Sequence, residues 1–226
     1  MLELTQNSNN IIGSPCSIQA LASKDHARVL LASDSHGKFK TLLSILRLYG
    51  SSCDAFLFCG DGASDIAEIL ECAEEDKKFK EALPPVMAFV AGNGDPKTYP
   101  VSFDIGKNNP EARLFPKGTV IFPSDQNLCV NGHNIFMSHG HYYGVDFSLN
   151  RLSYAANEKE ASIAFYGHTH IAGEFTSPKC RCINPGSCAR PRGGQPSSFA
   201  IVTFEKEFID TAFIKTEDYK LWTPVC

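Results

Sequence analysis

Five apolar segments of this chain end in the same way, and that repetition constrains its fold and chemistry more than any other feature. Leu30-Leu31-Ala32-Ser33 runs into Asp34-Ser35-His36, Phe56-Leu57-Phe58-Cys59-Gly60 into Asp61, and Ala88-Phe89-Val90-Ala91-Gly92 into Asn93. Ile135-Phe136-Met137-Ser138 runs into His139-Gly140-His141, and Ile163-Ala164-Phe165-Tyr166-Gly167 into His168-Thr169-His170. Short continuous apolar runs read as buried strands. Each delivers an oxygen or imidazole donor at its C-terminal tip, where open α/β sheets place their sites. Glycines before Asp61, Asn93 and His168 let the backbone turn sharply and pack closely. An isolated D-x-H or H-x-H recurs by chance in many chains. Five of the seven histidines fall in these tips, so the tips read together as a metal site.

The segments between the strands fix the class. Apolar positions Phe39, Leu42, Leu43, Leu46 and Tyr49, spaced three and four apart, predict a helix over Lys38–Tyr49 that Gly50 stops as its C′ residue. A second helix is expected from Ser64 to about Leu83, with Ile66, Ile69, Leu70 and Ala73 inward and a solvated charge run from Glu74 to Lys80. In the second half, Asn131-Gly132 is a strong hairpin signal between two strand-like runs, and a helix begins near an N-cap at Ser148. Strands follow over 162–166, 172–176, 181–183, 199–204 and 208–214. The expectation is mixed α/β, two packed sheets with helices outside. Residues 1–27 read as an irregular extension. Residues 28–226 read as one domain with a Pro-rich insertion at about 96–126, containing Pro96, Pro100, Pro110, Pro116 and Pro123.

Composition excludes several classes. The 226 residues are 43% hydrophobic and 20% charged, which rules out intrinsic disorder. No apolar run approaches the roughly 20 residues that span a bilayer. Glu3 precedes any Lys or Arg and no apolar stretch follows it, so no secretory signal and no membrane partner are expected. Nine cysteines, several inside apolar runs, then read as reduced buried thiols of a cytoplasmic protein. Cys180, Cys182 and Cys188 lack the paired C-x2-C of a structural zinc site and read as structural. A net charge of −4 argues against a long nucleic-acid groove.

Oxygen and imidazole donors without thiolate suit Mn²⁺, iron, Ni²⁺ or Zn²⁺. Two carboxylates, one amide and at least four histidines exceed the needs of one ion. If one carboxylate bridges, seven residues give four protein bonds to each of two ions. Paired divalent ions clamp a phosphoryl group and generate hydroxide near neutral pH, so phosphate-ester hydrolysis is the natural chemistry. Asp34 and Asp61 carry −2 and two ions would carry +4, so the site would attract a small phosphate ester despite the acidic chain.

D-x-H, G-D, G-N-x-D, H-G-H and G-H-T-H in this order resemble the calcineurin-like metallophosphoesterase superfamily. Asp34-Ser35-His36-Gly37, Ser138-His139-Gly140-His141, Tyr166-Gly167-His168-Thr169-His170, Asn184-Pro185-Gly186-Ser187 and Pro191-Arg192-Gly193-Gly194 are similar to its YfcE-type phosphodiesterase branch, over roughly Val29 to Phe204. The resemblance implies a four-layer α-β-β-α sandwich. It implies that Asp34, His36 and His170 hold one metal and that Asn93, His139 and His168 hold the other. Asp61 would bridge both, together with a hydroxide that attacks phosphorus in line. Mn²⁺ is the expected ion, with Ni²⁺, Fe²⁺, Zn²⁺ and Mg²⁺ as alternatives. Asp61, Asn93, His141 and Asp95 are the expected catalytic set; Asn93, His141 and Arg192 are the expected substrate contacts.

One departure matters. Many superfamily members carry G-N-H-[DE], whose His is thought to protonate the leaving group or bind phosphate, and the YfcE-type branch usually has Cys there. This chain has Gly94, which has no side chain to donate a proton. Activated aryl diesters are therefore expected to turn over better than alkyl phosphates. Asp95 would orient a neighbour or serve as a turn residue, and Tyr142-Tyr143 would floor an aryl pocket or pack in the core. The rival readings are a phosphomonoesterase or nucleotide hydrolase on the same site, and a catalytically silent scaffold of the same fold, like the retromer subunit that shares it. A homo-oligomer is expected only by analogy with related proteins.

Overall fold

Side-chain alternation along three parallel strands builds two hydrophobic layers at once. In a computed structural model describing residues 3–106, 109–110, 118–176 and 180–224, β2 (Ala27–Ala32), β3 (Ala55–Phe58) and β4 (Val86–Phe89) pair in parallel. Leu30, Phe56, Phe58, Met87 and Phe89 join one buried cluster, while Val29, Leu31, Leu57 and Ala88 join another. Antiparallel strands β1 (Ile11–Ile12), β12 (Ser198–Phe204), β13 (Ile209–Lys215) and β14 (Leu221–Trp222) extend this sheet to the order β1-β4-β3-β2-β12-β13-β14.

The second sheet repeats the plan. Parallel strands β8 (His133–Ser138), β9 (Ile163–Phe165) and β11 (Arg181–Asn184) sit between antiparallel edges β7 (Asp125–Val130) and β10 (Gly173–Thr176). Ile135, Met137, Ile163, Phe165 and Ile183 face the first sheet and share its cluster with Val29, Leu31 and Leu57. On the outer face of the first sheet, α2 (Phe39–Tyr49), α3 (Ala63–Glu75) and α4 (Lys77–Ala82) bury Leu42, Ile45, Leu46, Ile66, Leu70 and Phe79. On the outer face of the second, α5 (Asn150–Glu158) packs Leu152 and Ala156 against Phe136, Ala164 and Tyr166. The result is the expected four-layer α-β-β-α sandwich. Each fully buried Leu or Phe of these layers contributes roughly 1.5–3 kcal/mol. Among the described residues no helix is long and apolar enough to cross a membrane.

The structure departs from the sequence expectation in four places. The helix expected from Ser64 to Leu83 is broken at Asp76, whose extended backbone separates α3 from α4 and whose carboxylate accepts the Lys78 and Phe79 amides. That cap lies within the charge run and is masked by it. Gly50 is not a left-handed C′ residue: its φ is −55° and the chain continues into a short 3₁₀ turn. Glycine fits there because a Cβ would lie 2.5 Å from the Ala82 carbonyl oxygen. α5 begins at Asn150 rather than directly after Ser148, although Ser148 Oγ does accept the Asn150 amide.

The largest departure lies in residues 3–27, which form a strand and a helix rather than an irregular extension. α1 (Pro15–Ser23) starts at Ser14, whose Oγ accepts the Ser17 amide at 3.0 Å, with Pro15 in the first helical turn. Ile11 and Ile12 add a strand to the edge of β4, and Leu21 enters the layer between the sheets. The buried Gln6 donates to the Ile121 carbonyl at 2.8 Å and accepts the Ile121 amide at 2.9 Å. This ties the segment to a two-stranded ribbon, β5 (Thr98–Pro100) and β6 (Thr119–Ile121), within the Pro-rich stretch. Val101, Ile105, Val120 and Phe122 of that stretch enter the helix-side core. Residues 107–108 and 111–117, including Pro116, lie outside the described residues.

Candidate metal centre

All six parallel strands point their C-terminal ends to one edge of the sandwich, and the predicted donors follow directly after five of them. Their backbones are unusual. Asp34, His36, Asp61, His168 and His170 all have positive φ, between 44° and 69°. Side chains other than glycine rarely adopt this conformation, and it costs on the order of 1–3 kcal/mol per residue. Asp and His tolerate it better than most residues.

Hydrogen bonds between the tips hold this geometry. The Asp34 amide donates to the Gly60 carbonyl and the His36 amide to the Asp61 carbonyl, at 2.9 and 3.0 Å. Asp65, buried in the first turn of α3, accepts the Ser35 hydroxyl and the Gly37 amide and so fixes the Asp34–Gly37 turn. Asn184, at the end of β11, donates to the Gly167 carbonyl and the Thr169 hydroxyl. Ser187 Oγ donates to the Asp34 carbonyl at 2.7 Å. Gly60 lies where three tips meet: its φ is +91°, and a Cβ there would stand 2.7 Å from the Gly92 nitrogen and 2.8 Å from His139 Nδ1.

The donors converge on Asp34. Its Oδ2 accepts the Ser33 hydroxyl at 2.6 Å and the His168 amide at 3.1 Å. Its Oδ1 is buried and has no hydrogen-bond partner among the described residues. Three imidazole nitrogens surround that oxygen without hydrogen-bond geometry: Nε2 of His170 at 3.1 Å, of His36 at 3.7 Å and of His139 at 4.0 Å. Asp61 Oδ2 lies between the same imidazoles, 3.8 Å from His36 Nε2 and 3.7 Å from His139 Nε2. Asn93 Oδ1 sits 3.2 Å from His139 Nε2, and His36 Nε2 is 3.0 Å from His170 Nε2. Two overlapping sets result, Asp34–His36–His170 and Asp34–Asp61–His139.

This donor set fits divalent metal. A buried carboxylate oxygen with no donor is costly, and a cation among these nitrogens is what satisfies it. The imidazoles are also preset as ligands. His139 Nδ1 is held by the Cys59 carbonyl at 2.6 Å and His170 Nδ1 by the Arg190 carbonyl at 2.5 Å. Each carbonyl takes an N–H and leaves Nε2 as the lone pair. His168 uses the opposite nitrogen: its Nε2 meets the Asp146 carboxylate at 2.8 Å, which leaves Nδ1 for a ligand.

Burial, opposed by the charges of Asp34 and Asp61, lowers the pKa of His36 below the usual histidine value. Burial also works to lower that of His170, but the adjacent Asp34 carboxylate and the Arg190 carbonyl outweigh it and the net shift is upward.

The structure does not bring every expected residue into this group. His168 packs its ring 5.1 Å from that of His139, yet it lies outside both sets. His141 stands beside them, 5.3 Å from the His139 ring and 6.0 Å from the His168 ring, with Nδ1 buried and unpartnered among the described residues. Burial, then repulsion from His139 and His168, lowers its pKa.

Asp95 is fully engaged with backbone: Oδ1 accepts the Gly62 and Ala63 amides at 3.0 and 2.9 Å, and Oδ2 accepts Gly92 at 2.9 Å. It caps α3 and ties the Asp61 tip to the Asn93 tip. Arg192 is exposed, with its amide donating to the His170 carbonyl. Tyr143 bonds Asp125 and packs on Phe136, while Tyr142 is exposed. Cys180 and Cys182 are buried 4.0 Å apart under α5, and neither they nor Cys188 join a metal-type group among the described residues. Asp65, Asp146 and Arg190 were not singled out by sequence.

A cleft of about 170 Å³, lined by His36, Gly37, Asp61, Gly62, Ser64, Gly94 and Asp95, opens onto the site. The Gly94 amide donates to Asp61 Oδ1 at 2.8 Å, and a Cβ there would stand 3.3 Å from that oxygen. The side chain missing at this position would therefore have stood directly beside the carboxylate.

Comparison with known proteins matches residues 28–207 to the Calcineurin-like phosphoesterase superfamily domain. The chain belongs to this family. It is 30% identical over 195 residues to the probable metallophosphoesterase YsnB of Bacillus subtilis, covering 84% of this chain and 95% of that protein. It is 25% identical over 181 residues to the phosphodiesterase YfcE of Escherichia coli, covering 77% and 86%. Among solved structures, a predicted phosphoesterase from Streptococcus pneumoniae shares the fold with a TM-score of 0.62 at 24% identity, covering 87% of this chain and 93% of that one. Family membership makes this a metallophosphoesterase-type hydrolase, and the family is metal-dependent.

Proposed function

We propose that this protein is a binuclear metal-dependent phosphodiesterase that hydrolyses a small phosphate ester. The observation that carries the reading is the buried Asp34 Oδ1, without a partner in hydrogen-bond geometry among the described residues and surrounded by the Nε2 atoms of three histidines. Asp34, His36 and His170 would hold one divalent ion and Asn93, His139 and His168 the other, with Asp61 shared between them. Such ions supply positive charge for phosphoryl oxygens and make a nucleophilic water available near neutral pH.

The chain's own groups do the rest. The carbonyls of Cys59 and Arg190 and the Asp146 carboxylate hold three imidazoles in fixed tautomers. His141, whose pKa burial and then His139 and His168 lower, would contact phosphate from beside the His139 and His168 rings. Asp95 positions the Asp61 tip through backbone amides rather than exchanging a proton. Arg192 adds a guanidinium at the rim that suits phosphate oxygens. At Gly94 no side chain protonates the departing oxygen, so leaving groups stable as anions are favoured. Complete retention of competent donors supports an enzyme over a silent scaffold.

Steady-state turnover of bis(p-nitrophenyl) phosphate, p-nitrophenyl phosphate and an alkyl diester across Mn²⁺, Ni²⁺, Mg²⁺ and Zn²⁺ tests this. The reading expects metal-dependent rates highest on the aryl diester. Faster hydrolysis of the monoester would make it a phosphomonoesterase, equal turnover of aryl and alkyl diesters would remove the role given to Gly94, and no rate above that of Asp61→Asn would end the enzyme reading.

A further inference from the structure

The loop after β11 brings two arginines onto the Asp34–His36–His170 side of the donor cluster. Residues 187–195 are stitched across the His170 tip at successive points. Ser187 Oγ donates to the Asp34 carbonyl and accepts the Arg190 amide, both at 2.7 Å. The Arg190 carbonyl holds His170 Nδ1 at 2.5 Å, and the Arg192 amide donates to the His170 carbonyl at 3.1 Å. Gln195 closes the loop by bonding both the amide and the carbonyl of Ala172, at 2.6 and 3.0 Å. The backbone of each arginine thus touches His170 itself, which puts the cluster within one side-chain length of both guanidiniums.

Both arginines are exposed, and neither forms an ion pair among the described residues. Exposed arginines are common, but the charge of these two reaches the cluster. After burial, the largest influence on both imidazoles, the Arg190 charge also disfavours protonation of His36, and the Arg192 charge that of His170. His36 Nε2 and His170 Nε2 are 3.0 Å apart, so the two cations act on one spot. The opposite side of the cluster carries an acid instead, Asp146 on His168.

We propose that Arg190 and Arg192 hold a second anionic group of the substrate, a phosphate or carboxylate separate from the phosphate that reacts. The inference rests on the phosphoesterase reading and adds a charge requirement to it. Asp34 and Asp61 with two divalent ions sum to about +2, which already serves a singly charged diester. Two further unpaired cations beside the same donors exceed that need and match an additional anion. A guanidinium fork suits the oxygens of phosphate and of carboxylate alike. Asp146 would repel the same group, so the substrate would lie with its charged end toward residues 190–192.

Calorimetric titration of the full chain in Mg²⁺ tests this with three ligands: methyl phosphate, phosphoglycolate and ethane-1,2-diol bisphosphate. The two ligands with a second anion should bind about tenfold tighter than methyl phosphate. That gap should shrink to about threefold or less in Arg190→Ala and in Arg192→Ala. It should persist in Arg151→Ala, which removes an exposed arginine from α5. Chelation of Mg²⁺ by a ligand is common to all variants, so the change between variants reads the side chains. A gap for the bisphosphate alone assigns the contact to phosphate, and one for phosphoglycolate alone assigns it to carboxylate. Equal affinity for all three ligands, or a gap that survives both substitutions, overturns the proposal. Turnover of bis(p-nitrophenyl) phosphate by the wild-type chain, measured in parallel, separates the two readings. A protein that holds the second anion but hydrolyses nothing keeps the arginine contact and loses the phosphoesterase assignment, whereas one that hydrolyses the diester without the gap loses only the contact.

Discussion

The two halves of the donor cluster are held in different ways. Asp34, His36 and His170 close on one buried point, and their supports come from the interior: the Ser33 hydroxyl, the Ser187 hydroxyl and the Arg190 carbonyl. Asp61, His139 and Asn93 also approach one another, but the fourth member of that half, His168, depends on Asp146, a carboxylate 43% exposed at the rim. Interior hydrogen bonds keep their strength, whereas an exposed acid–imidazole contact is screened by water and salt. The first half should therefore bind metal tightly by itself, and the second should depend on a surface residue.

The largest effect expected is from Asp34→Asn, which removes the oxygen common to both sets. Metal-dependent kcat/KM should fall on the order of 10³-fold, the upper range for losing one preorganised electrostatic contact, as read by steady-state kinetics. Retention of a tenth of the activity would mean that Asp34 joins neither half. Asp146→Ala should act on the second half alone, weakening the looser of two metal-binding steps by about 10–100-fold while the tighter step holds. Isothermal titration calorimetry reads both steps, and equal weakening of both would erase the distinction.

Asp95→Ala leaves the Gly62, Ala63 and Gly92 amides without their acceptor and should cost about 1–3 kcal/mol in urea unfolding. A role limited to positioning also leaves the shape of the pH–rate profile unchanged. A profile that loses one limb would make Asp95 a proton-transfer group instead.

The smallest effect concerns thiols packed near the two halves. Burial, aided by the Asp34 charge, pushes the pKa values of Cys59 and Cys188 above the ordinary thiol value. The folded state thus favours the protonated thiol. Its contribution to stability is complete below the unfolded pKa and is lost as pH rises beyond it toward the folded value. Melting temperature should fall between about pH 8 and pH 10, and iodoacetamide should label the exposed Cys16 well before Cys59 or Cys188 in the native protein. Peptide mass spectrometry showing equal labelling rates would contradict the burial assigned to them.

Much of this was legible in the sequence, because continuous apolar runs ending in Asp, Asn or His leave little choice of strand or of direction. The two-sheet class and the positions of the donors follow from those runs alone. What escaped has identifiable reasons. Ile11-Ile12 is too short to show a period, so the edge strand it forms and the docking of residues 3–27 went unseen, although Ser14-Pro15 is a readable helix start. Asp146 stands alone in a polar loop and gains its meaning only from the approach of His168 across 22 residues. Asp65 reads as a solvated first-turn acid, yet it is buried by its bonds to Ser35 and Gly37. The positive φ values at five donors arise where tips from two sheets crowd together, which no single segment reveals.

Native mass spectrometry of the full chain equilibrated with Mn²⁺ tests the central claim most directly. The account predicts two ions per chain, filled in sequence, with Asp146→Ala stopping at one and Asp34→Asn losing the tighter of the two. A wild-type chain that takes up a single ion, or none, at saturating metal would contradict it.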